Sequence, residues 1–394
     1  MKSDIDELLT RGVANVIPRD LALNKLNSGD SLRIYFGIDP TGAKLHLGHS
    51  VPLRKLKAFS EAGHHVIFVV GSFTAMIGDP SGQDTLREPL TKGQVEENFK
   101  NYKEQAQKVL DLSKVEIRYN HEWLEPLRFP DIINLASKFT VQQMLQRDMF
   151  ERRMREGKPI ALHEFLYPLM VGYDSVVLDV DGEMGGSDQE FNMLAGRDLQ
   201  KSFGKREKFV LTTKLIEGTD GRKMSKTYNN CIYLEDKPND MYGKIMSMID
   251  AQIIPYFELC TNTPTLEIKE MSVKLEDGSL HPKEAKMQLA REIVSLYHGE
   301  KSAKEAEENF IKTFSNREIP NDLMVTEVVL RSKLVDILLE QKLVESKSEW
   351  RRLVDEKAVS DAETGEIVES ADQIVEKNII LKIGKRRFLK IEIL

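Results

Sequence analysis

Two histidines near the beginning of the chain, His46 and His49, have a spacing that suits phosphate binding. They follow a Pro-Thr-Gly turn and open a helical pattern, so both imidazoles lie on one face of the first helical turn. Gly48 between them lets a bulky group approach the backbone. The unpaired N–H groups and partial positive charge of a helix N-terminus favour phosphate at such a place. Taken alone, two histidines at this spacing are more often an ordinary surface or core pair. A metal site is a weaker alternative, because no third ligand of matching type lies nearby in the sequence.

A second set of residues suited to polyphosphate lies about 180 positions later, in the sequence Lys-Met-Ser-Lys-Thr at 223–227. The preceding residues, 218–222, contain two glycines and end in Arg222, which is typical of a polar loop. The ammonium groups of Lys223 and Lys226 are point charges that bind phosphates without a fixed geometry. By itself such a segment is more simply explained as a solvated basic loop.

The sequence around the first motif alternates between strand and helix patterns, as in a doubly wound α/β domain. Residues 32–38 are predicted to form a strand, and the apolar run at 66–70 is continuous, as strands of a parallel sheet require. A helical pattern at 46–62 connects the two. This strand–helix–strand unit places the two histidines just after a strand. Further strands are predicted near 115–119, 176–180 and 209–212. Further helices are predicted at 92–111, 130–156, 163–174 and 188–200.

The character of the sequence changes after residue 235, and the changes predict three domains. Residues 1–230 are predicted to form the α/β domain, with a doubly wound parallel sheet of the Rossmann-like type. Residues 231–325 are predicted to be helical, with helices at 238–249, 251–261, 281–297 and 300–314. A connector at 315–330 leads to a small α+β domain at 331–394. This last domain is predicted to have helices at 333–341 and 348–356, followed by short strands.

Composition excludes several classes of protein. Of the 394 residues, 41% are hydrophobic and 30% are charged, a globular mixture that excludes collagen-like and wholly disordered chains. A net charge of −7 argues against a protein that coats nucleic acid non-specifically. The two cysteines, Cys231 and Cys260, exclude a cysteine-rich zinc site and make a disulfide framework improbable. Without a signal-peptide pattern or a membrane-length apolar run, the sequence predicts a cytoplasmic protein with no membrane partner.

The two motifs, in this order and on this kind of unit, resemble the HxGH and KMSKS elements of class I aminoacyl-tRNA synthetases. The resemblance extends over nearly the whole chain and is greatest to the bacterial tyrosyl-tRNA synthetases. Three further segments resemble that family: Phe-Gly-Ile-Asp-Pro-Thr at 36–41, Ile-Gly-Asp-Pro-Ser-Gly at 77–82 and Gly-Gly-Ser-Asp-Gln at 185–189. Tyr167 and Asp174 also match, and their spacing of two helical turns puts them on one face of a helix.

The resemblance implies an enzyme that activates L-tyrosine with ATP and then transfers the tyrosyl group to the 3′-terminal adenosine of tRNA(Tyr). It implies Mg²⁺ accompanying ATP as substrate, no tightly bound cofactor and no metal site built by the protein. It also implies a homodimer formed through the α/β domain near residues 120–165, with no DNA partner.

The resemblance also assigns roles to single residues. Those implied to bind phosphate and act in catalysis are His46, His49, Lys223, Lys226, Thr227 and Arg87. Those implied to bind tyrosine are Tyr35, Asp79, Tyr167, Asp174 and Gln189. Those implied to contact ATP are Asp39, Gly48, Gly186, Asp188 and Met224. The tyrosine set has a chemical logic, because a phenolic hydroxyl can donate to the Asp174 carboxylate and accept from the Tyr35 hydroxyl.

One departure from the family pattern leaves the amino-acid substrate open. The family usually has glutamine one turn after Tyr167, where this sequence has Val171, which cannot form that hydrogen bond. One alternative is therefore a synthetase for another aromatic amino acid. A second alternative is a catalytically inactive homologue that binds tRNA, although the intact motifs at 46–49, 185–189 and 223–227 argue against decay.

The C-terminal domain resembles the S4-type RNA-binding domain that many tyrosyl enzymes have. It contains as many basic as acidic residues, whereas the whole chain is acidic. Its predicted RNA-binding residues are Arg351, Arg352, Lys385 and Arg386. Trp350 beside the first two can pack in the core or stack on a base, and core packing is the favoured reading. Ala358 occupies a position where the family commonly has glycine, which puts the turn at 356–358 in question.

Overall fold

A computed structural model describes the protein over residues 2–42, 44–81, 90–225, 228–315, 323–384 and 387–393. The chain forms two compact units, one extending to Ala303 and one beginning at Lys304. The finer boundaries at residues 230, 325 and 331 stay predictions. None of the helices in the described ranges combines the length and hydropathy needed to cross a bilayer.

The first unit is built on a six-stranded sheet of the predicted doubly wound type. Its strands are β1 Val13–Ile17, β2 Arg33–Ile38, β3 His65–Val70, β4 Glu116–Tyr119, β5 Gly182–Gly186 and β6 Phe209–Thr213. Their order is β4-β3-β2-β5-β6-β1, and all neighbours are parallel except β1, which is antiparallel to β6. The order reverses at β2, between β3 and β5. In such a sheet the crevice at the carboxyl ends of the strands near the reversal is the usual ligand site.

Helices cover this sheet and continue beyond it. Those up to β6 are α1 Lys2–Leu8, α2 Arg19–Asn27, α3 Leu47–Glu61, α4 Thr74–Ile77, α5 Lys92–Ala106, α6 His121–Leu124, α7 Phe129–Ala136, α8 Val141–Leu145, α9 Asp148–Arg155, α10 Leu162–Leu178 and α11 Glu190–Ser202. Those after β6 are α12 Pro238–Met246, α13 Ile253–Cys260, α14 Thr265–Glu276, α15 Pro282–His298 and α16 Glu300–Phe310. The prediction of a helical stretch after residue 235 is confirmed, and α14 is an addition to it.

The strand predicted at 176–180 is wrong. Those residues continue α10 as far as Leu178, and the strand next to β2 is β5, with the sequence Gly-Glu-Met-Gly-Gly. The β-branched pair Val176-Val177 has high strand propensity, but Val176 packs on the buried face of the helix. Gly182 shows why β5 looks unlike a strand. A Cβ at this position would lie 2.6 Å from the Phe209 ring, so close packing in the sheet requires glycine.

The single helix predicted at 130–156 is also wrong, because the structure divides it into α7, α8 and α9. Thr140 starts a new helix by accepting a hydrogen bond at Oγ1 from the backbone N–H of Gln143 (3.2 Å). The Gln143 side chain in turn accepts from the backbone N–H of Thr140 (2.8 Å). A capping pair inside an apolar periodic segment was the local signal for this break. The sequence reading also missed β1.

The second unit is a small α+β fold, as predicted. Its elements are β7 Met324–Val328, α17 Leu334–Glu340, α18 Lys347–Asp355, β8 Val359–Asp361, β9 Ile379–Ile383 and β10 Arg387–Ile393, with sheet order β7-β10-β9-β8. The predicted connector therefore contains a strand, β7, paired in parallel with β10. Trp350 is buried, and its Nε1–H donates to the carbonyl of Ala371 (2.7 Å), so its role is core packing. Lys357 takes up the left-handed conformation that the turn before Ala358 needs.

Candidate active site

The predicted site residues converge on the carboxyl ends of the parallel strands. Asp39 directly follows β2, Gly71 follows β3 and Asn120 follows β4, while Asp188 and Gln189 follow β5. These strands flank the reversal in strand order, which is where doubly wound sheets bind their ligands. The site is therefore set by topology before any side-chain contact is considered.

The segment that follows the second motif pairs with the start of the first motif. His46 forms an antiparallel β-bridge with Tyr233, which comes six residues after the end of the KMSKT segment. On either side of the bridge, the N–H of Leu47 donates to the carbonyl of Ile232 (2.9 Å), and the N–H of Leu234 donates to the carbonyl of Leu45 (3.0 Å). This backbone pairing fixes the segment after the second motif against the start of α3, where His46 and His49 lie.

The two histidines lie against each other at the start of α3. Their ring centroids are 3.8 Å apart, and the backbone N–H of His46 donates to Nδ1 of His49 (3.2 Å). A neutral His49 ring therefore has its proton on Nε2. A Cβ at Gly48 would lie 3.0 Å from the His46 ring and 3.5 Å from Cγ2 of Ile216. Glycine at this position thus leaves room between the histidines and the segment that follows β6.

The described part of the KMSKT segment, residues 223–225, is held by a buried asparagine. Burial raises the pKa of the Asp188 carboxyl, and the positive charge of Lys223 acts in the opposite direction. Asn230 accepts at Oδ1 from the N–H of Ser225 (2.8 Å) and donates from Nδ2 to Oδ1 of Asp220 (2.7 Å). Met224 is buried. Three predicted catalytic residues lie outside the described residues, namely Lys226, Thr227 and Arg87.

Asp174 is buried on α10 and is held by two donors. Its Oδ1 accepts from Nε1–H of Trp123 (2.8 Å), and its Oδ2 accepts from Nδ2 of Asn120 (3.4 Å). Burial raises the pKa of the Asp174 carboxyl well above its usual range, and the two hydrogen bonds act in the opposite direction. A carboxylate fixed in this way can accept a hydrogen bond from a ligand without first reorganising.

The hydrogen bonds continue from Asp174 to the other predicted residues. The Nδ2 group of Asn120 also donates to Oγ1 of Thr74 (2.9 Å), and Thr74 donates to Oδ1 of Asp39 (2.7 Å). The hydroxyl of Tyr167 donates to Oδ2 of Asp39 (2.8 Å). The structure thus joins the three predicted residues Asp39, Tyr167 and Asp174 in one network. Val171 lies between the last two on α10 and is half-buried.

Asp79 and Gln189 form a second polar pair in the site. The Nε2 group of Gln189 donates to Oδ2 of Asp79 (2.8 Å), and the backbone N–H of Ser81 donates to Oδ1 of Asp79 (2.9 Å). Burial raises the pKa of Tyr167 well above its usual range, and the charges of Asp39 and Asp79 add to this effect. The pair therefore lies close to the Tyr167 end of the network. Near it, a Cβ at Gly186 would come within 2.6 Å of the Asp188 carboxylate.

Tyr35 is placed differently from what the sequence predicted. The expected role was hydrogen-bond donation to a ligand, but its hydroxyl donates to Oε1 of Glu183 on the neighbouring strand. It also lies 3.2 Å from Oγ of Ser175. Burial, together with the charges of Glu183 and Asp174, raises the pKa of Tyr35 well above its usual range.

Several residues of the site were missed by sequence reasoning. They are Gly71, Thr74, Asn120, Trp123, Ser175, Glu183, Lys208 and Asn230. Asn120 had a usable signal, because a polar residue directly after a strand of a parallel sheet lies at the ligand-binding edge. Gly71 had none, although a Cβ there would fall 1.8 Å from Oδ1 of Asp39 and would displace that carboxylate.

The predicted RNA-binding residues belong to the second unit. Arg351 and Arg352 are exposed on α18, and Nε of Arg352 lies 4.0 Å from the carboxylate of Glu356. Lys385 and Arg386 lie outside the described residues. In the described ranges of the chain, no group of three or more His, Cys, Asp or Glu side chains is arranged to hold a metal ion.

Comparison with known proteins gives consistent matches over almost the whole chain. The family model of the class I tRNA synthetases (W and Y) matches residues 27–315. A protein of Thermotoga maritima named tyrosine–tRNA ligase is 45% identical over 388 residues, which are 98% of this chain and 96% of that protein. A ligase of the same name from Idiomarina loihiensis is 43% identical and aligns over 100% of both chains.

Solved structures agree with the sequence matches. The crystal structure of a C-terminally truncated mitochondrial tyrosyl-tRNA synthetase from Aspergillus nidulans superposes with a TM-score of 0.67 at 25% identity. The superposition covers 80% of this chain and 95% of that one.

Proposed function

The chain belongs to the class I tRNA synthetases of the tryptophan and tyrosine type, and we propose that it is a tyrosine–tRNA ligase. The observation that carries the choice of amino acid is the buried Asp174, which Trp123 and Asn120 hold as a hydrogen-bond acceptor. A buried carboxylate with lone pairs left over from these two bonds suits a phenolic hydroxyl, and phenylalanine would leave those lone pairs unused. The full-length likeness to proteins named tyrosine–tRNA ligase supports the same choice.

In the first step, a carboxylate oxygen of tyrosine attacks the α-phosphorus of ATP, and pyrophosphate leaves. The products are tyrosyl-adenylate and pyrophosphate, and the step needs no protein nucleophile. Catalysis then consists of positioning the reactants and stabilising negative charge on the phosphates. His46, His49 and Lys223 have this role in the proposal, together with Lys226, Thr227 and Arg87. ATP enters as its magnesium complex, with the ion held chiefly by phosphate oxygens.

In the second step, a ribose hydroxyl of the 3′-terminal adenosine of tRNA(Tyr) attacks the carbonyl carbon of tyrosyl-adenylate. The new ester bond forms as the bond to AMP breaks. Asp39, Gly48, Gly186, Asp188 and Met224 contact the nucleotide in this proposal. Asp79, Tyr167 and Gln189 bind the ammonium and carboxyl end of tyrosine, and the chain Tyr167–Asp39–Thr74–Asn120 ties that end to the Asp174 end.

ATP–pyrophosphate exchange by the purified protein tests this proposal, with each of the twenty amino acids supplied separately. Tyrosine should drive exchange and phenylalanine should not. Exchange driven by a different amino acid would contradict tyrosine as the substrate and would direct attention to Val171. A folded protein that exchanges with none of the twenty would contradict the enzyme itself and leave an RNA-binding role.

The second unit is proposed to bind tRNA through α18. Replacing both Arg351 and Arg352 by alanine should raise the KM for tRNA about tenfold, because two phosphate contacts are lost. Tyrosine-dependent pyrophosphate exchange should stay unchanged, since that reaction involves no tRNA. Lys377→Ala, which removes an exposed lysine of the same unit near Asp361 and Glu366, is the control. An equal fall in charging and in exchange would contradict this role.

A homodimer formed through residues 120–165 is also part of the proposal. Five large apolar side chains in this part of the chain are exposed: Phe129, Ile133, Val141, Met154 and Leu162. Phe129 and Leu162 are 74% and 82% exposed, and such a concentration of apolar surface favours a protein interface. A buried ion pair between Arg153 and Glu164 (2.6 Å) fixes α9 against the start of α10 and so supports this surface.

Replacing Phe129 by aspartate should convert the dimer to a monomer, because it puts a charge where apolar surface would be buried. Sedimentation equilibrium or light scattering at micromolar concentration measures the mass. Leu266→Asp is the matched control, since Leu266 on α14 is 69% exposed but lies outside the surface at 129–162. A dimer that survives Phe129→Asp, or one that Leu266→Asp dissociates, would contradict this interface.

The cytoplasm is the proposed location. Cys231 and Cys260 are both buried and not joined in a disulfide, and burial raises the pKa of the Cys260 thiol to about 12. Reduced thiols without disulfides are usual in a reducing compartment.

A further inference from the structure

A buried polar cluster beneath Tyr35 has no part in the reaction as described so far. It consists of Ser175 on α10, Glu183 on β5 and Lys208 directly before β6. Lys208 and Ser175 are fully buried, and Glu183 is 3% exposed. Charged side chains are seldom buried to this extent unless they are paired, so the cluster calls for a physical explanation.

The three side chains and Tyr35 form a closed set of hydrogen bonds. The ammonium of Lys208 donates to Oε2 of Glu183 and to Oγ of Ser175. Ser175 donates to the same Oε2 (3.1 Å), which leaves Oε1 of Glu183 to accept from the Tyr35 hydroxyl. The Lys208 ammonium also lies 5.8 Å from the centre of the Tyr35 ring. The other polar groups of the cluster thus hold the Glu183 carboxylate, which accepts the hydrogen bond from Tyr35.

The neighbouring helix leaves no room for another arrangement. A Cβ at Gly196 on α11 would lie 2.7 Å from Nζ of Lys208 and 2.9 Å from Oγ of Ser175. At Gly172 on α10, a Cβ would lie 3.1 Å from the backbone of Gly196. The two helices therefore touch through glycines directly over the cluster. Because the cluster is enclosed, its side chains have few alternative rotamers.

Stability does not account for this pair. Replacing a buried ion pair by apolar residues of similar volume is often neutral or stabilising, because desolvation offsets the attraction between the charges. The Glu183–Lys208 pair instead fixes the direction in which the Tyr35 hydroxyl donates its hydrogen bond. A tyrosine hydroxyl has a single proton to donate and two lone pairs to accept with. Because the Tyr35 hydroxyl donates its hydrogen bond to Glu183, the Tyr35 oxygen can only accept a hydrogen bond from a ligand.

We propose that Glu183, held by Lys208, is a positioning residue that fixes the Tyr35 hydroxyl as an acceptor, so that the pocket selects amino acids whose para substituent donates a hydrogen bond. This inference rests on the proposed function, because it concerns the same amino-acid pocket. Asp174 strengthens the selection, since Trp123 and Asn120 already donate to it and it too faces the ligand as an acceptor. The substrate hydroxyl of tyrosine meets the requirement, and a hydrogen or fluorine atom does not.

Two tyrosine analogues separate the donor requirement from fit. A para amino group donates hydrogen bonds, whereas para fluorine cannot donate. The wild-type protein should therefore activate 4-aminophenylalanine in preference to 4-fluorophenylalanine, measured as kcat/KM in pyrophosphate exchange in mildly alkaline buffer. This preference between analogues is independent of the absolute rate, so a general loss of activity does not change it.

Two double variants then test Glu183. Both replace Lys208 by methionine and remove the ion pair, but one has Glu183→Gln, which keeps an acceptor for Tyr35, and the other has Glu183→Met, which removes it. We expect Glu183→Gln/Lys208→Met to retain the wild-type preference. We expect Glu183→Met/Lys208→Met to lower this preference about tenfold, as the loss of one hydrogen bond would. The Tyr35 hydroxyl then has no acceptor at position 183 and is free to turn its hydrogen toward the ligand. Lys25→Met is the control, since it removes a lysine paired with Asp181 just before β5.

The outcomes separate this inference from the proposed function. Equal preferences in both double variants, whether at the wild-type value or lowered, would overturn the positioning role of Glu183. If the methionine pair does not fold, Glu183→Asp supplies the test, because it keeps the charge but withdraws the acceptor from Tyr35 by one methylene. Its preference should fall about threefold, and no change would overturn the proposal. A wild-type protein that does not activate tyrosine would contradict the proposed function, whatever the variants do.

Discussion

Replacing His49 by alanine should lower kcat for tyrosine-dependent pyrophosphate exchange about a hundredfold, with the KM for tyrosine unchanged. The His46 and His49 rings lie 3.8 Å apart at the N-terminus of α3, where the partial positive charge of the helix end also attracts anions. Because the His46 N–H donates to Nδ1 of His49, a neutral His49 ring donates from Nε2. Losing one donor aimed at charge that develops in the transition state typically costs roughly 3 kcal/mol of barrier, or about two orders of magnitude in rate.

The comparison variants for His49 follow from the same geometry. His49→Gln should lose less activity, because its amide N–H can donate from nearly the position of Nε2. His65→Ala is the control, since His65 begins β3 and is paired with Glu116 (2.7 Å) away from the site. A His49→Ala variant with unchanged kcat and a raised KM for tyrosine would contradict a role in the transition state and indicate one in substrate binding.

The strands that could be predicted are those whose residues are buried on both faces by the sheet itself. β2 and β3 have continuous apolar sequences, and the structure pairs them in parallel with Tyr35 opposite Ile67. β5 could not be predicted in this way, because its neighbours set its residue types. Gly182 makes room for Phe209 and Ile34, and Glu183 faces Tyr35 and Lys208. When the residue types of a strand are set by contacts with residues 25 or more positions away, the strand has little signal in its own sequence.

The candidate site divides in a similar way. Residues that would touch a ligand, such as His46 and Asp174, stand in segments that resemble a known family, and the resemblance implies their roles. Residues that hold them do not, because their role exists only once the chain has folded. Trp123 and Asn120 lie about fifty residues from Asp174, and only Asn120, directly after a strand, has a local signal. For the same reason the sequence suggested Tyr35 as a donor to the ligand, since nothing near Tyr35 in sequence indicates Glu183.

Replacing Asp174 by alanine should have the other large effect, a loss of at least about a hundredfold in kcat/KM for tyrosine. Two costs add together. The substrate hydroxyl loses a hydrogen bond to a charged acceptor, worth roughly 1.5–3 kcal/mol, and the buried donors of Trp123 and Asn120 lose their partner. Phenylalanine makes no hydrogen bond to Asp174, so its poor activation should change little. The preference for tyrosine over phenylalanine should therefore fall with kcat/KM.

Removing the charge of a nearby carboxylate shows whether the effect belongs to Asp174 itself. Asp179 ends α10 five residues later, has a left-handed backbone and pairs with Arg206, so Asp179→Asn should leave tyrosine activation unchanged. Asp174→Asn should be intermediate. Its side-chain oxygen can still accept from Trp123. Its amide nitrogen then faces the Nδ2 group of Asn120, and two donors cannot form a hydrogen bond with each other. If Asp174→Ala left the preference for tyrosine intact, this carboxylate would be a support for Trp123 and Asn120, and recognition of the phenol would have to come from Tyr35 alone.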